Sequence, residues 1–255
     1  MMTQANHEIV TLKENMLQCM RRGVKSLASD ALNAGVFRPY GDNSELDVSA
    51  IQQGSGAWTT AEGILAILYT DPWFHDSKSV PDTDLLSRAT YSLLNIKRNY
   101  REEGIPADPD LGISHRGVVD STVKVVMALT SVKRYMISRG WHELATRDNK
   151  LQVSLDHVDT CIDALSYWLK RNQNNDGSWG LWQGEEGRSY PTYYAIKALM
   201  DCGEKGESDC ITRASRWFKK NQNEDGGWGF SQSDRDSDIA STSFAVLALS
   251  HVEPL

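Results

Sequence analysis

The stretch NQNEDGGWGF at residues 221–230 decides the fold, because it repeats NQNNDGSWGL at residues 172–181. In each copy a Gln precedes an Asp-Gly pair, and a Trp follows it. Asp-Gly favours a tight turn, since Gly reaches positive φ without a steric clash. A Gly also commonly ends a helix. We therefore expect a helix to end at each copy and the Trp to fold back onto that helix end.

The Gln amide of each copy can then hydrogen-bond to free backbone groups at a neighbouring helix terminus. Such a contact would fasten one helical unit to the next, and nothing in it is chemically reactive. The residues predicted to form this structural motif are Gln173, Gly177, Trp179, Gln222, Gly226 and Trp228.

A second repeat is anchored on a Thr. It occurs in four segments: TAEGILAIL from Thr60, TVKVVMAL from Thr122, TYYAIKALM from Thr192 and TSFAVLAL from Thr242. Mostly apolar residues stand three, four and seven positions after each Thr, which places them on one face of an α-helix. An Ala stands six positions after every Thr, and this small residue would let neighbouring helices approach closely. We predict that these four helices pack together as inner helices.

Each inner helix has a helical partner upstream. The predicted outer helices run over 7–30, 83–101, 153–172 and 207–221, with Gly-rich or Pro-rich connections and no strand-like alternation. Tandem helical hairpins of this kind stack and bury a shared core. We therefore predict one all-α domain over 1–255, with a softer boundary near 137–152. Its clearest repeats are 153–203 and 204–255, and its degenerate repeats are 7–72 and 82–137.

Composition excludes some classes of function. The formal net charge is −7 and no basic block stands out, which argues against a nucleic-acid partner. The first ten residues do not resemble a signal peptide. The longest apolar stretch, 64–69, is too short to span a bilayer. The cysteines form no CxxC pair, so we expect free thiols and a cytoplasmic location.

The pattern from Ala164 to Trp179, and again from Ala214 to Trp228, resembles the QW repeat of squalene and terpene cyclases. Related QxxDGG repeats occur in protein prenyltransferase β-subunits. The resemblance extends over about 153–251 and implies an (α/α) toroid whose inner helices line a cavity. Family barrels use more hairpins than the four readable here. This difference implies an open or incomplete barrel, completed by a partner chain or by further hairpins.

The same resemblance suggests a catalytic acid. Class II terpene cyclases protonate an alkene or epoxide with an Asp at the start of an inner helix. Asp120-Ser121-Thr122 resembles the Asp-Cys-Thr variant of that motif, whereas DxDD is absent. This implies Asp120 as proton donor, with His115 nearby to tune the acid. Alternatively, Asp120 is a helix cap or dipole partner, and His115 is a solvated loop residue.

Positions one, two and five after each Thr could face the toroid axis. Among them, Tyr194 and Phe244 suit an apolar ligand or a cation. Glu62, Lys124 and Lys197 do not suit a hydrocarbon chamber, because an unpaired buried charge is expensive. These charged residues would have to pair with one another or lie at a wet mouth.

An acidic cluster precedes the last inner helix and includes Asp236 and Asp238. These two residues could bind Mg²⁺ and a diphosphate ligand, or they could form a solvated cluster at a helix start. No EF-hand, zinc ligand set or Gly-rich phosphate loop is present, so we predict no other metal or cofactor.

Two functions remain open on the sequence. One is a non-catalytic scaffold that binds a partner or a small apolar ligand such as an isoprenoid. The other is a class II terpene cyclase-like enzyme, an isomerase or lyase. The scaffold predicts an open face with Glu62 and Lys124 solvated, and the enzyme predicts a closed pocket with Asp120 pointing into it. The missing DxDD, the missing zinc ligands and the small number of hairpins favour the scaffold.

Overall fold

The computed structural model describes residues 56–70, 83–96, 99–106 and 117–252, with the isolated residues 18–20, 22, 23 and 26. The prediction of an all-α fold is confirmed, because these residues are mostly helical. The elements are α1 (Ala57–Thr70), α2 (Thr83–Leu94), α3 (Tyr100–Glu103), α4 (Val119–Ser138), β1 (Glu143–Ala145), β2 (Gln152–Ser154), α5 (Leu155–Arg171), α6 (Ser189–Asp201), α7 (Asp209–Lys220) and α8 (Ile239–Val252).

The helices form two layers. The Thr-anchored helices α1, α4, α6 and α8 pack side by side in chain order, and we call them the inner helices. Helices α2, α5 and α7 pack on α1, α4 and α8, respectively, and we call them the outer helices. The outer helices fall at the predicted positions 83–101, 153–172 and 207–221. The predicted outer helix at 7–30 lies almost entirely outside the described residues.

The anchoring Thr joins the inner helix to the segment before it by a side-chain hydrogen bond. Thr192 Oγ1 accepts a hydrogen bond from the Trp179 backbone N–H at 3.0 Å. Thr242 does the same for Trp228, also at 3.0 Å. Thr122 accepts from the Ile105 backbone N–H at 3.0 Å. A buried backbone N–H needs a hydrogen-bond partner. The bond to the Thr hydroxyl therefore gives a physical reason for the recurrence of Thr.

The small residue six positions after the Thr lies where the inner helices pack. Ala128, Ala198 and Ala248 are fully buried, and Ala66 is partly buried. Protein interiors are close-packed, so a larger side chain at these three positions would force the helices apart.

Each Gln–Trp turn closes onto the end of its own outer helix. Gly177 has φ +96° and Gly226 has φ +85°, in the left-handed region that Gly favours. The Trp179 indole N–H donates to Leu169 O at 2.8 Å. The Trp228 indole N–H donates to its equivalent, Phe218 O, also at 2.8 Å. Each Trp therefore satisfies a backbone carbonyl near the C-terminus of its outer helix.

The first Gln also joins two hairpins. Gln173 Nε2 donates to Gly177 O within its own turn at 2.8 Å and to Cys210 O of α7 at 2.7 Å. Arg213 of α7 donates in turn to Gln173 Oε1. Gln222 makes the equivalent bond within its turn, to Gly226 O at 2.7 Å.

The sequence predicts no β-strands, and this prediction is wrong at one place. Strands β1 and β2 form a short antiparallel ribbon, with Glu143 opposite Ser154. It packs on α2, where Ser87 Oγ donates to Ala145 O at 3.1 Å. The ribbon, residues 143–154, overlaps the region 137–152 that the sequence predicts as a softer boundary. Three-residue strands are too short to show a period of two, so the alternation test fails here.

Candidate functional site

Two rows of side chains cross the inner helices, one helical turn apart. The first row stands two residues before the anchoring Thr and contains Trp58, Asp120 and Tyr190. The second row stands two residues after it and contains Glu62, Lys124, Tyr194 and Phe244. Residues four apart lie on the same side of a helix. We call these seven residues the inner face.

Asp120 is the centre of the first row. Its Oδ1 accepts a hydrogen bond from the Tyr190 hydroxyl at 2.5 Å, and the Trp58 indole also hydrogen-bonds to the carboxylate. Asp120 does not cap its own helix, because the N-cap of α4 is Val118. The sequence therefore places an acid in the first turn of α4, but its hydrogen-bond partners come from α1 and α6.

Burial is the main influence on the acidity of Asp120. Desolvation raises the pKa of this carboxyl, since the charged form loses water. The hydrogen bond from Tyr190 and the positive charge of Lys124 partly oppose this effect. The pKa of Tyr190 is also raised, first by its own burial and then by its hydrogen bond to Asp120.

The second row begins with an ion pair. Lys124 Nζ lies 2.7 Å from Glu62 Oε1 and 4.5 Å from the centroid of the Tyr194 ring. The scaffold hypothesis predicts a solvated Lys124, and this prediction is wrong, because Lys124 is only 9% exposed. Its long stem is covered by the neighbouring inner helices, and its charge is paired as buried charges usually are. Lys197 is likewise paired, with Asp201 at 2.7 Å.

An aromatic cluster, made of Tyr190, Tyr193, Tyr194 and Phe244, lies where the two rows reach α6 and α8. The centroid of the Tyr190 ring lies 4.9 Å from that of Tyr194 and 5.5 Å from that of Phe244. Tyr193 stacks on Phe244 at 5.5 Å. These separations are typical of favourable aromatic pairs. Tyr190, Tyr194 and Phe244 are only partly buried, so they offer an apolar surface beside the acid.

The inner face is narrower than the sequence predicts. Positions one and five after the Thr are buried in the core of α1 and α4. They are Ala61, Leu65, Val123 and Met127. In these two helices only Glu62 and Lys124 remain of the residues predicted to face the axis.

The other predicted site residues lie elsewhere or outside the described part of the chain. His115 is among the residues that the structure does not describe. Asp236 is exposed. Asp238 accepts a hydrogen bond from the Ser241 backbone N–H at 2.8 Å, and its bonds to Ser241 lower its pKa. Across the described ranges, no group of three or more His, Cys, Asp or Glu side chains is arranged to hold a metal ion.

Sequence reasoning misses two members of the first row. Neither Trp58 nor Tyr190 is among the site residues predicted from the sequence. Both stand two residues before an anchoring Thr, as Asp120 does. That shared register is the signal that could have linked the three residues.

No described helix is both long enough and apolar enough to cross a membrane. Residues 150–251 match the family model of the squalene-hopene cyclase C-terminal domain. No curated protein matches the chain in sequence. Among solved structures, ent-copalyl diphosphate synthase from Streptomyces platensis is similar, with 19% identity and a TM-score of 0.44. The match covers 80% of this chain and 40% of the synthase chain, so this chain spans well under half of the synthase.

Both Gln–Trp turns, helix α6 and all of α8 except its last residue lie within the matched segment. The resemblance to squalene and terpene cyclases stated from the repeats is thus confirmed over residues 150–251, which are similar to the squalene-hopene cyclase C-terminal domain.

Proposed function

We propose that this terpene cyclase-like chain binds an apolar ligand of the isoprenoid class on its inner face and does not convert it. The observation that carries the proposal is the aromatic cluster. Three of its rings, Tyr190, Tyr194 and Phe244, are partly exposed on neighbouring helices. Large aromatic surfaces with a few polar groups beside them are typical of small-molecule sites.

The position of Lys124 favours binding over carbocation chemistry. Its ammonium group already lies 4.5 Å from the Tyr194 centroid, the place where that ring would stabilise a carbocation. Two like charges about 5 Å apart repel by roughly 3 kcal/mol near a protein surface. Glu62 neutralises part of the Lys124 charge. An uncharged isoprenoid chain meets no such repulsion.

Two phenylalanine variants test the binding proposal. Phe244 belongs to the cluster, whereas Phe230 is 51% exposed and lies under the Arg188 guanidinium, outside the cluster. We expect Phe244→Ala to weaken binding of a linear C15 isoprenoid alcohol by roughly tenfold or more, because a buried Phe contact is worth at least about 1.5 kcal/mol. Phe230→Ala should bind as the wild type does. Calorimetry or fluorescence titration would measure both affinities.

The binding proposal fails if the wild type shows no saturable binding to linear isoprenoids. It also fails if both Phe variants lose affinity equally, because binding would then not depend on the aromatic cluster.

A second candidate function is proton donation by Asp120. Burial favours its protonated form, and the donors from Tyr190 and Trp58 would stabilise the carboxylate after the proton leaves. The test is incubation with linear C15 to C30 isoprenoids, with and without Mg²⁺, followed by a search for cyclised products. Asp120→Asn keeps an oxygen acceptor for Tyr190 but carries no acidic proton. Products that the wild type forms and Asp120→Asn does not would replace the binding proposal by an enzymatic one.

The last inner helix supports the proposal that a partner chain packs beside it. Val246 is 54% exposed, whereas Ile64, Val126 and Ile196 at the same repeat position are fully buried. Ile239 and Leu247 of α8 are also exposed. A further hairpin packed on α8 would cover this surface, as α6 and α8 cover their predecessors.

A second copy is the simplest partner chain to test by sedimentation. We expect a dimer for the wild type and a monomer for Val246→Glu. A wild type that stays monomeric at all concentrations would exclude a second copy as the partner.

A further inference from the structure

A separate cleft lies between the first Gln–Trp turn and the outer helix α7. Its volume is about 270 Å³, at the small end for ligand sites. Asp176 of the turn lies on one side, and Arg213, Arg216, Trp217 and Lys220 of α7 lie on the other. This cleft contains none of the inner-face residues.

The lining of this cleft is positively charged. Its three basic side chains and one acidic side chain give a formal charge of +2 in a chain whose net charge is −7. Arg213 is held by Asp209 at 3.1 Å and donates to Gln173. Arg216 and Lys220 stand four residues apart on the same side of α7, where like charges repel. An anion between them would remove this repulsion.

Trp217, which lines the cleft, has a buried indole N–H that lacks a partner. Trp217 is 3% exposed, and its indole N–H has no hydrogen-bond acceptor in the described part of the chain. The indole N–H groups of Trp179 and Trp228 both donate to backbone carbonyls at 2.8 Å. An unsatisfied buried N–H is costly and rare. The cleft is therefore lined by two cationic donors and by a tryptophan whose buried indole N–H lacks an acceptor.

We propose that this cleft binds a small phosphate-bearing anion, of the inorganic phosphate or diphosphate class. The anion's oxygens accept hydrogen bonds from Arg216 and Lys220, and a small rotation of the Trp217 ring brings its buried indole N–H to the seated anion. Charge-assisted hydrogen bonds of this kind are the strong ones in proteins. Asp176 directs its Oδ1 to its own turn, where it accepts from the Ser178 backbone N–H at 3.0 Å and from the Ser178 hydroxyl at 2.6 Å.

Titration of the full chain with inorganic pyrophosphate tests the proposal by two readouts. Calorimetry gives the affinity and the stoichiometry, and the ¹H–¹⁵N spectrum follows the tryptophan indole signals. We expect saturable binding of one anion per chain and a shift of the Trp217 indole signal, which Trp217→Phe would identify by its disappearance.

Two matched charge variants distinguish specific anion binding in the cleft from nonspecific electrostatic attraction to the protein. Arg216→Gln/Lys220→Gln removes the two proposed cationic donors and should weaken binding roughly tenfold or more. Lys150→Gln/Lys205→Gln removes two positive charges outside the cleft and should leave the affinity within about twofold. Equal losses in the two double variants would overturn the proposal, as would binding that shifts no indole signal. If Trp217→Phe fails to fold, the two double variants still decide the question.

Discussion

Replacing Gln173 by alanine tests whether the Gln amide fastens successive hairpins, and Gln222 supplies the matched control. Both amides donate to the carbonyl of the turn Gly, at 2.8 Å and 2.7 Å. The loss of that bond should lower the free energy of unfolding of both variants by the same amount. Gln173 alone has the two bonds to α7, one to Cys210 O at 2.7 Å and one from Arg213.

The expected difference follows from these two extra bonds. A neutral hydrogen bond contributes about 1 kcal/mol to the free energy of unfolding, and a charge-assisted one contributes more. The Arg213 side chain is 31% exposed, so solvent screening lowers its bond to about 1 kcal/mol. Gln173→Ala should therefore destabilise the protein by about 2 kcal/mol more than Gln222→Ala. For a chain of this size that is a difference in Tm of about 4–8 °C.

Urea unfolding followed by circular dichroism would give the two free energies, and a thermal scan would give the Tm values. Losses that agree within about 0.5 kcal/mol would refute the claim that Gln173 joins the hairpins. The double variant Gln173→Ala/Arg213→Ala gives a further check. Because the two side chains share one bond, its loss of stability should be smaller than the sum of the single losses.

Further predictions concern the inner helices. The ordinary pKa of Asp120 is near 3.8 and burial raises it in the folded state, so folding favours the protonated form. The free energy of unfolding of the wild type relative to Asp120→Asn should therefore be greatest below about pH 3.8 and should fall as the pH rises through the raised pKa. A difference that grows with pH in urea titrations would contradict this. Ala198→Leu places extra methylene groups where α6 packs on its neighbours and should cost about 1–3 kcal/mol. Ala240→Leu, on the exposed side of α8, should change stability by less than about 0.5 kcal/mol. Equal losses would show that the inner helices do not pack closely at Ala198.

The Thr and Ala registers explain why so much of the architecture could be predicted. Thr192 and Thr242 hydrogen-bond to the segment before their own helix, and Gly177 and Gly226 turn the chain after the outer helices. These features depend on residues close in sequence, so their spacing reports them directly. The ribbon β1–β2 could not be predicted from the sequence, because its strands are too short to show a periodic pattern.

The inner face shows the limit of the same reasoning. Asp120 was found through its place before Thr122, but its partner Tyr190 lies 70 residues away in the chain. The sequence could propose that Glu62 and Lys124 pair, but it could not choose between a pair and a wet mouth. The stagger between adjacent helices decides which of their residues meet. The sequence pattern of a single helix does not give that stagger.

The sequence by itself determined the repeating hairpin, the turn at each Gln–Trp motif and the resemblance to terpene cyclases. Periodicity and turn chemistry act over a few residues, and therefore leave a readable pattern. Only the tertiary structure decided that Trp58, Asp120 and Tyr190 form one row, and that Lys124 is buried against Glu62 and Tyr194. Burial and charge pairing are properties of the assembled helices, because the side chains that exclude water from Asp120 and Lys124 come from different parts of the chain.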